Sequence, residues 1–177
     1  MADPKEGTLD WFLETVVIRD LGQMITSGLR YLSFAVMGSA IELLGAIYDS
    51  ADFHKTGLSE KRFNAAIKTI QSLKGYRPYM KPTHYDLYTN MRCGMAHVGK
   101  PGNGVVFTER ADPQSGHLHL QTLKFSGNPR LILVCEELYE DIVKAVADVR
   151  GDAGNLKKQL TQDFMNPHLS ADTPLQP

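Results

Sequence analysis

Two side chains, Arg92 and His97, together offer what a sugar–phosphate substrate demands. A neutral imidazole can take a proton from a ribose 2′-hydroxyl. A guanidinium can hold a phosphate through two parallel hydrogen bonds and offset the charge that develops on its oxygens. At α-helical pitch their spacing places them about 140° apart and about 7.5 Å along the axis. The small side chains of Thr89, Cys93 and Ala96 fall between them, which predicts a shallow groove with a cation at one margin and an imidazole at the other. This chemistry requires no metal, and no cofactor motif is present. His117 and His119 share one face of an expected strand, but no third ligand accompanies them.

Glu42 is the second informative residue. It lies within a long apolar run, on one helical face with Ala35, Gly38, Gly45, Ala46 and Asp49. Small residues let another helix approach closely. A carboxylate placed there needs a cation, because a buried charge without a partner costs several kcal/mol. Arg92 is the expected partner, with Arg30 and Arg62 as alternatives. The pair would either aim the guanidinium or simply hold two helices in register.

The elements that must carry these groups are mostly helical. Residues 8–20 predict a first helix capped by Thr8, and Gly22 then loosens the pattern. From Ser27 to Asp49 runs a long apolar helix. Its Tyr31–Tyr48 stretch approaches bilayer length, but Glu42 and several Ser and Gly residues favour a central core helix and no membrane association. Ser59 is expected to cap a basic amphipathic helix with an apolar stripe of Phe63, Ala66, Ile67, Ile70 and Leu73, closed by Gly75. A Pro/Tyr-rich connector leads to the helix of Arg92, expected to begin near Pro82–Thr83 and to end around His97–Gly99. Between about 104 and 134, three apolar runs separated by turn signals predict a three-stranded antiparallel meander. Residues 134–150 return to helix, with Leu138, Ile142, Val146 and Val149 inward. A short helix is expected to reach Phe164, and residues 166–177 to form a flexible tail.

At 177 residues, with 42% hydrophobic and 22% charged side chains, residues 1–165 fit one globular domain rather than a disordered or fibrous chain. Cys93 and Cys135 form no metal or redox motif and suit a reducing compartment. Asp3, Glu6 and Asp10 stand where a secretory leader would be basic and then apolar, so the cytoplasm is the expected location. The net charge of −1 hides a strong asymmetry. Residues 61–100 carry eight Lys or Arg against Asp86 alone, a block that could face phosphates or lie paired with acidic neighbours.

The segment Leu87-Tyr88-Thr89-Asn90-Met91-Arg92-Cys93-Gly94-Met95-Ala96-His97 resembles the signature of the HEPN superfamily, the higher eukaryotes and prokaryotes nucleotide-binding domains. In that signature an Arg, four to six residues and a His close one helix of a bundle. The resemblance implies a mainly α bundle of four to five helices with the β-meander inserted before its last long helix. It also implies a homodimer that brings two copies of the motif together. In active members it implies metal-independent endoribonuclease activity leaving 2′,3′-cyclic phosphate and 5′-hydroxyl ends. Arg92 and His97 would then be catalytic, with Glu42 supporting Arg92 and with Tyr85, Thr89, Asn90 and Lys100 touching RNA. Cys93 stands directly after the Arg, where nuclease members usually carry Asn or Asp. The competing expectation is a non-catalytic module that binds RNA, nucleotide or a regulatory protein through the same face.

Overall fold

Thr8 begins the first helix as the sequence predicts: its hydroxyl accepts a hydrogen bond from the Trp11 amide. The structure, a computed structural model, describes residues 3–165, and the expected tail at 166–177 lies outside them. Helix α1 (Leu9–Phe12) continues as a π-helical segment (Leu13–Asp20) and then as α2 (Leu21–Thr26). Gly22 does not end the helix. The Tyr139 hydroxyl would lie 2.6 Å from a Cβ there, and it donates to the Ile18 carbonyl, so Gly22 makes room for a crossing side chain. Only at Gly28, with φ +84°, does the chain turn.

Helix α3 (Arg30–Ile47) is the central element. It is long and apolar enough to cross a membrane by length and composition, yet more than half of it is buried against the rest of the chain. Its small residues serve the close approach foreseen for them. At Gly45 a Cβ would sit 1.8 Å from the Arg62 carbonyl oxygen, so helix α4 (Ser59–Thr69) crosses there with backbone against backbone. The α4 stripe is buried as expected at Phe63, Ala66, Ile67, Ile70 and Leu73. Its ends differ from expectation. Leu58, not Ser59, holds the N-cap position without a side-chain bond, and Ile70 turns extended (ψ 128°). The chain then runs as a 3-10 helix (Gln71–Tyr79) that includes Gly75 and Pro78. The Asp148 carboxylate fixes its start by accepting from the Ser72 amide and hydroxyl.

The expected meander is overturned. Strands β1 (Val105–Thr108), β2 (Thr122–Phe125) and β3 (Asn128–Val134) form a sheet in the order β1-β3-β2, with β1 parallel to β3 and β2 antiparallel to it. Ser126 and Gly127, both at positive φ, close a two-residue hairpin between β2 and β3. Residues 109–121 instead form turns that return the chain to the far edge. Burial explains the order. Leu131, Ile132, Leu133 and Val134 are fully buried in succession, which suits a central strand, whereas Thr122, Leu123 and Lys124 are exposed on an edge. β3 runs straight into helix α5 (Cys135–Gly151). Arg150 of α5 reaches Asp10 and Glu14 of the first helix at 2.7 and 2.8 Å.

The sheet and helices share one contiguous apolar core, so the fold is mainly α with a small mixed sheet. Residues 152–165 are turns rather than the expected short helix. The Lys158 ammonium there donates to the carbonyls of Ala46, Asp49 and Ala51, placing a cation on the negative end of α3. Burial pushes its pKa down.

Candidate functional site

Arg92 and His97 lie on one helix, Tyr88–Val98, as the sequence required. The helix starts later than expected, because residues 80–86 form turns in place of a first helical turn. Asn90 shapes this entrance. Its amide nitrogen donates to the carbonyls of His84, Tyr85 and Asp86, and its Oδ1 accepts from the Gly104 amide at 3.0 Å. Asn90 therefore ties the approach to the helix to the chain leaving it, and its polar atoms are occupied by backbone rather than open to a ligand. Gly94 permits the return: a Cβ there would lie 2.6 Å from the Lys100 carbonyl oxygen. Gly99, at φ +70°, ends the helix in the left-handed conformation.

The pitch of this helix changes the wheel. Its ladder is π-helical, with hydrogen bonds spanning five residues, so position i+5 stacks near position i as i+4 does in an α-helix. Tyr88 and Cys93, five apart, are neighbours: the Tyr88 hydroxyl is pushed above its ordinary value by burial first and by the adjacent Cys93 thiol second. On the same repeat, Arg92 and His97, also five residues apart, are separated by less than the about 140° expected at α pitch.

Gly38 of α3 lets the helix come close, with a Cβ there only 3.3 Å from the Arg92 Cα. Across this contact the Arg92 Nε donates to Glu42 Oε2 at 2.8 Å, and the two side chains are 20% and 17% exposed. The expected pair is therefore present. The alternatives are engaged elsewhere, Arg30 with Glu109 and Glu136, and Arg62 with Asp49. Because Glu42 takes only Nε, both terminal nitrogens of Arg92 are without a protein partner among the described residues. Arg92 borders an open cavity of about 270 Å³ lined also by Ser39, Glu42, Phe53, His54 and Phe164. The expected groove floor does not form its walls: Thr89 and Ala96 are exposed to solvent and Cys93 is half-buried beside Tyr88. His97 is exposed and makes no side-chain hydrogen bond among the described residues.

The basic block is not a bare positive face. Of its eight cations, Arg62, Lys81 and Arg92 are paired with Asp49, Glu60 and Glu42. Arg77 donates to the carbonyls of Ile67 and Lys68. Lys100 is exposed just beyond the helix, and Tyr85 packs edge-on against Tyr79 and His84. Arg62 is wholly consumed, by Asp49 and by the carbonyls of Ala51, Asp52 and Phe53. Burial works against the Asp49 charge, but Arg62 and the Ala51 amide hold its pKa below the usual carboxylate value.

His117 and His119 lie in turns, not on a strand. His119 Nδ1 accepts from the Val134 amide at 3.0 Å, which leaves the proton of the neutral ring on Nε2, 2.8 Å from the Tyr76 oxygen. The Tyr76 hydroxyl in turn donates to Asp141 at 3.0 Å. This buried chain fastens the 3-10 helix, β3 and α5 together. Sequence reasoning missed that His54, Phe53 and Phe164 share a cavity with Arg92, since no local pattern joins residues 38 to 72 positions away. Asp49, which pairs with Arg62 across the 50–58 loop, was the available signal that this loop folds inward. Comparison with protein-family models, with curated proteins and with solved structures returns no match to this chain.

Proposed function

We propose that this chain is a HEPN-like homodimeric domain that cleaves RNA without a metal. His97 takes the proton from a ribose 2′-hydroxyl, and the freed 2′-oxygen attacks the adjacent phosphorus. Arg92 holds two phosphate oxygens with its terminal nitrogens while negative charge accumulates there. The phosphorus–O5′ bond breaks, the 5′-oxygen takes a proton from solvent, and the products are a 2′,3′-cyclic phosphate and a 5′-hydroxyl. Glu42 holds the guanidinium by Nε and so leaves its fork open toward the substrate. The observation that supports this reading most is that the two groups lie five residues apart on one helix, with Arg92 lining an open cavity and His97 open to solvent. The test is cleavage of single-stranded RNA in EDTA, compared between wild type and His97→Ala.

A second reading has its own support. Val98, beside His97, is 67% exposed, and Leu29, Tyr31 and Leu32 at the start of α3 are also exposed apolar groups. A contiguous exposed apolar patch would mark an interaction surface, and Leu29, Tyr31 and Leu32, close in sequence, together with Cys93 after the motif Arg, support a non-catalytic module that binds RNA, nucleotide or protein. RNA affinity that falls steeply with salt, without cleavage, would single out the nucleic-acid-binding form of this module.

A further inference from the structure

We propose that the cavity beside Arg92 is a nucleotide subsite, in which the Arg92 fork takes a phosphate, Phe53 and Phe164 take the neighbouring base, and His54 hydrogen-bonds the sugar–phosphate from the rim. The proposal rests on the reading of Arg92 as a phosphate-binding residue and assigns the substrate one nucleotide at a defined place. Three independent features of the cavity carry it.

The first is the charge arrangement. Two guanidinium groups line the cavity, each paired with one carboxylate, Arg62 with Asp49 and Arg92 with Glu42. Arg62 is saturated by Asp49 and three carbonyls, which leaves Arg92 as the group able to accept an anion. Holding Nε and leaving both terminal nitrogens free is the geometry that bidentate phosphate binding uses.

The second is the aromatic wall. Phe53 and Phe164 are half-buried, with ring centroids 4.9 Å apart at 82°, and Phe164 continues edge-on to Phe12 at 4.8 Å. The ring cluster is fixed from behind by the Lys158 ammonium, 4.7 Å from the Phe53 centroid, and by the Phe164 amide donating to Gly7. Rigid rings beside a guanidinium suit a nucleobase, because every base presents a π-face whatever its sequence. At about 270 Å³ the space is near the lower bound for ligand pockets, roughly 300 Å³, and admits about one nucleotide.

The third is His54. Its loop is held by the Asp52 carboxylate, which accepts from the His54 amide at 2.8 Å, while the imidazole makes no side-chain hydrogen bond among the described residues. It lines the same cavity as Arg92, whereas His97 does not. Within the chain, the imidazole that shares a cavity with Arg92 is therefore that of His54 in the 50–58 loop, and the substrate strand would run from this cavity across Arg92 toward His97.

The test is calorimetric titration of the full chain with uridine 3′-monophosphate, and with uridine, at low salt. Wild type is expected to bind the nucleotide and to bind uridine at least ten-fold more weakly. His54→Gln and Phe164→Leu are each expected to weaken nucleotide binding about five- to ten-fold. His54 is on an exposed loop, so His54→Gln remains informative should Phe164→Leu unfold. Equal affinity in wild type and His54→Gln, or no binding at millimolar nucleotide, overturns the proposal. RNA cleavage is read separately. Cleavage that depends on His97 without a His54 effect on nucleotide binding removes the subsite alone, and binding at the subsite without cleavage removes the ribonuclease reading alone.

Discussion

Replacing Glu42 probes both the packing and the aim of Arg92, and its size can be worked from the geometry. The Nε–Oε2 contact is 2.8 Å and each side chain is about four-fifths withdrawn from water. Exposed pairs contribute about 0–1 kcal/mol, and breaking fully buried ones costs about 3–5 kcal/mol. A pair at this depth falls between, at about 2 kcal/mol. Glu42→Gln keeps the volume and an acceptor but removes the charge, and Arg92→Met keeps most of the packing. In a chain of 177 residues each single variant should melt about 4–8 °C lower. The double variant should lose about 2 kcal/mol less than the two single losses together. Thermal and urea unfolding at fixed protein concentration read this cycle, and the coupling should change little between low and high salt because the pair is shielded. RNA cleavage should also fall in Glu42→Gln, although Glu42 touches no substrate. A coupling below about 0.5 kcal/mol would refute the claim that Glu42 holds Arg92 in place.

Two glycines on the same face of α3 should respond very differently to alanine. Gly45→Ala drives a Cβ into the Arg62 backbone and should cost more than about 3 kcal/mol, whereas Gly38→Ala meets Arg92 at ordinary to tight distance and should cost about 1 kcal/mol or less, by urea unfolding. His119 gives the fold an acid limit: burial lowers its pKa below the usual value, so the stability tied to its neutral form is complete above about pH 6.5 and declines as pH falls from there toward the folded-state value. Unfolding midpoints from pH 7.5 down to 5 should show that decline, and His119→Gln should flatten it. A decline confined to the carboxylate range, with Asp49 and Asp112 held below their usual value by their hydrogen bonds, would assign acid sensitivity to the carboxylates instead.

The parts of this structure written in periodicity were legible. The α3 and α4 stripes, the small-residue face and the Glu42–Arg92 pair all follow from residues recurring at helical spacing. The strand order was not read, although its signal was present: Arg130-Leu-Ile-Leu-Val134 does not alternate, and an unbroken apolar run belongs in the middle of a sheet. The π pitch of the Arg92 helix left no such mark. A five-residue hydrogen-bond repeat differs from a four-residue one in backbone geometry, which packing against Gly38 and the clamp at Asn90 accompany but residue types do not encode. A wheel at about 100° per residue therefore overstates the angle between Arg92 and His97. Asn90 was expected to face a substrate, yet its value lies in four hydrogen bonds to backbone between residues 84 and 104.

The central claim is that one imidazole and one guanidinium on the Tyr88–Val98 helix cut a phosphodiester without metal help. The purified chain incubated with single-stranded RNA in EDTA should release fragments ending in 2′,3′-cyclic phosphate and 5′-hydroxyl groups. His97→Ala should slow that release by at least about 100-fold while its melting temperature stays near that of wild type. Cleavage by His97→Ala at the wild-type rate, or intact RNA after prolonged incubation with the wild-type protein, would contradict it.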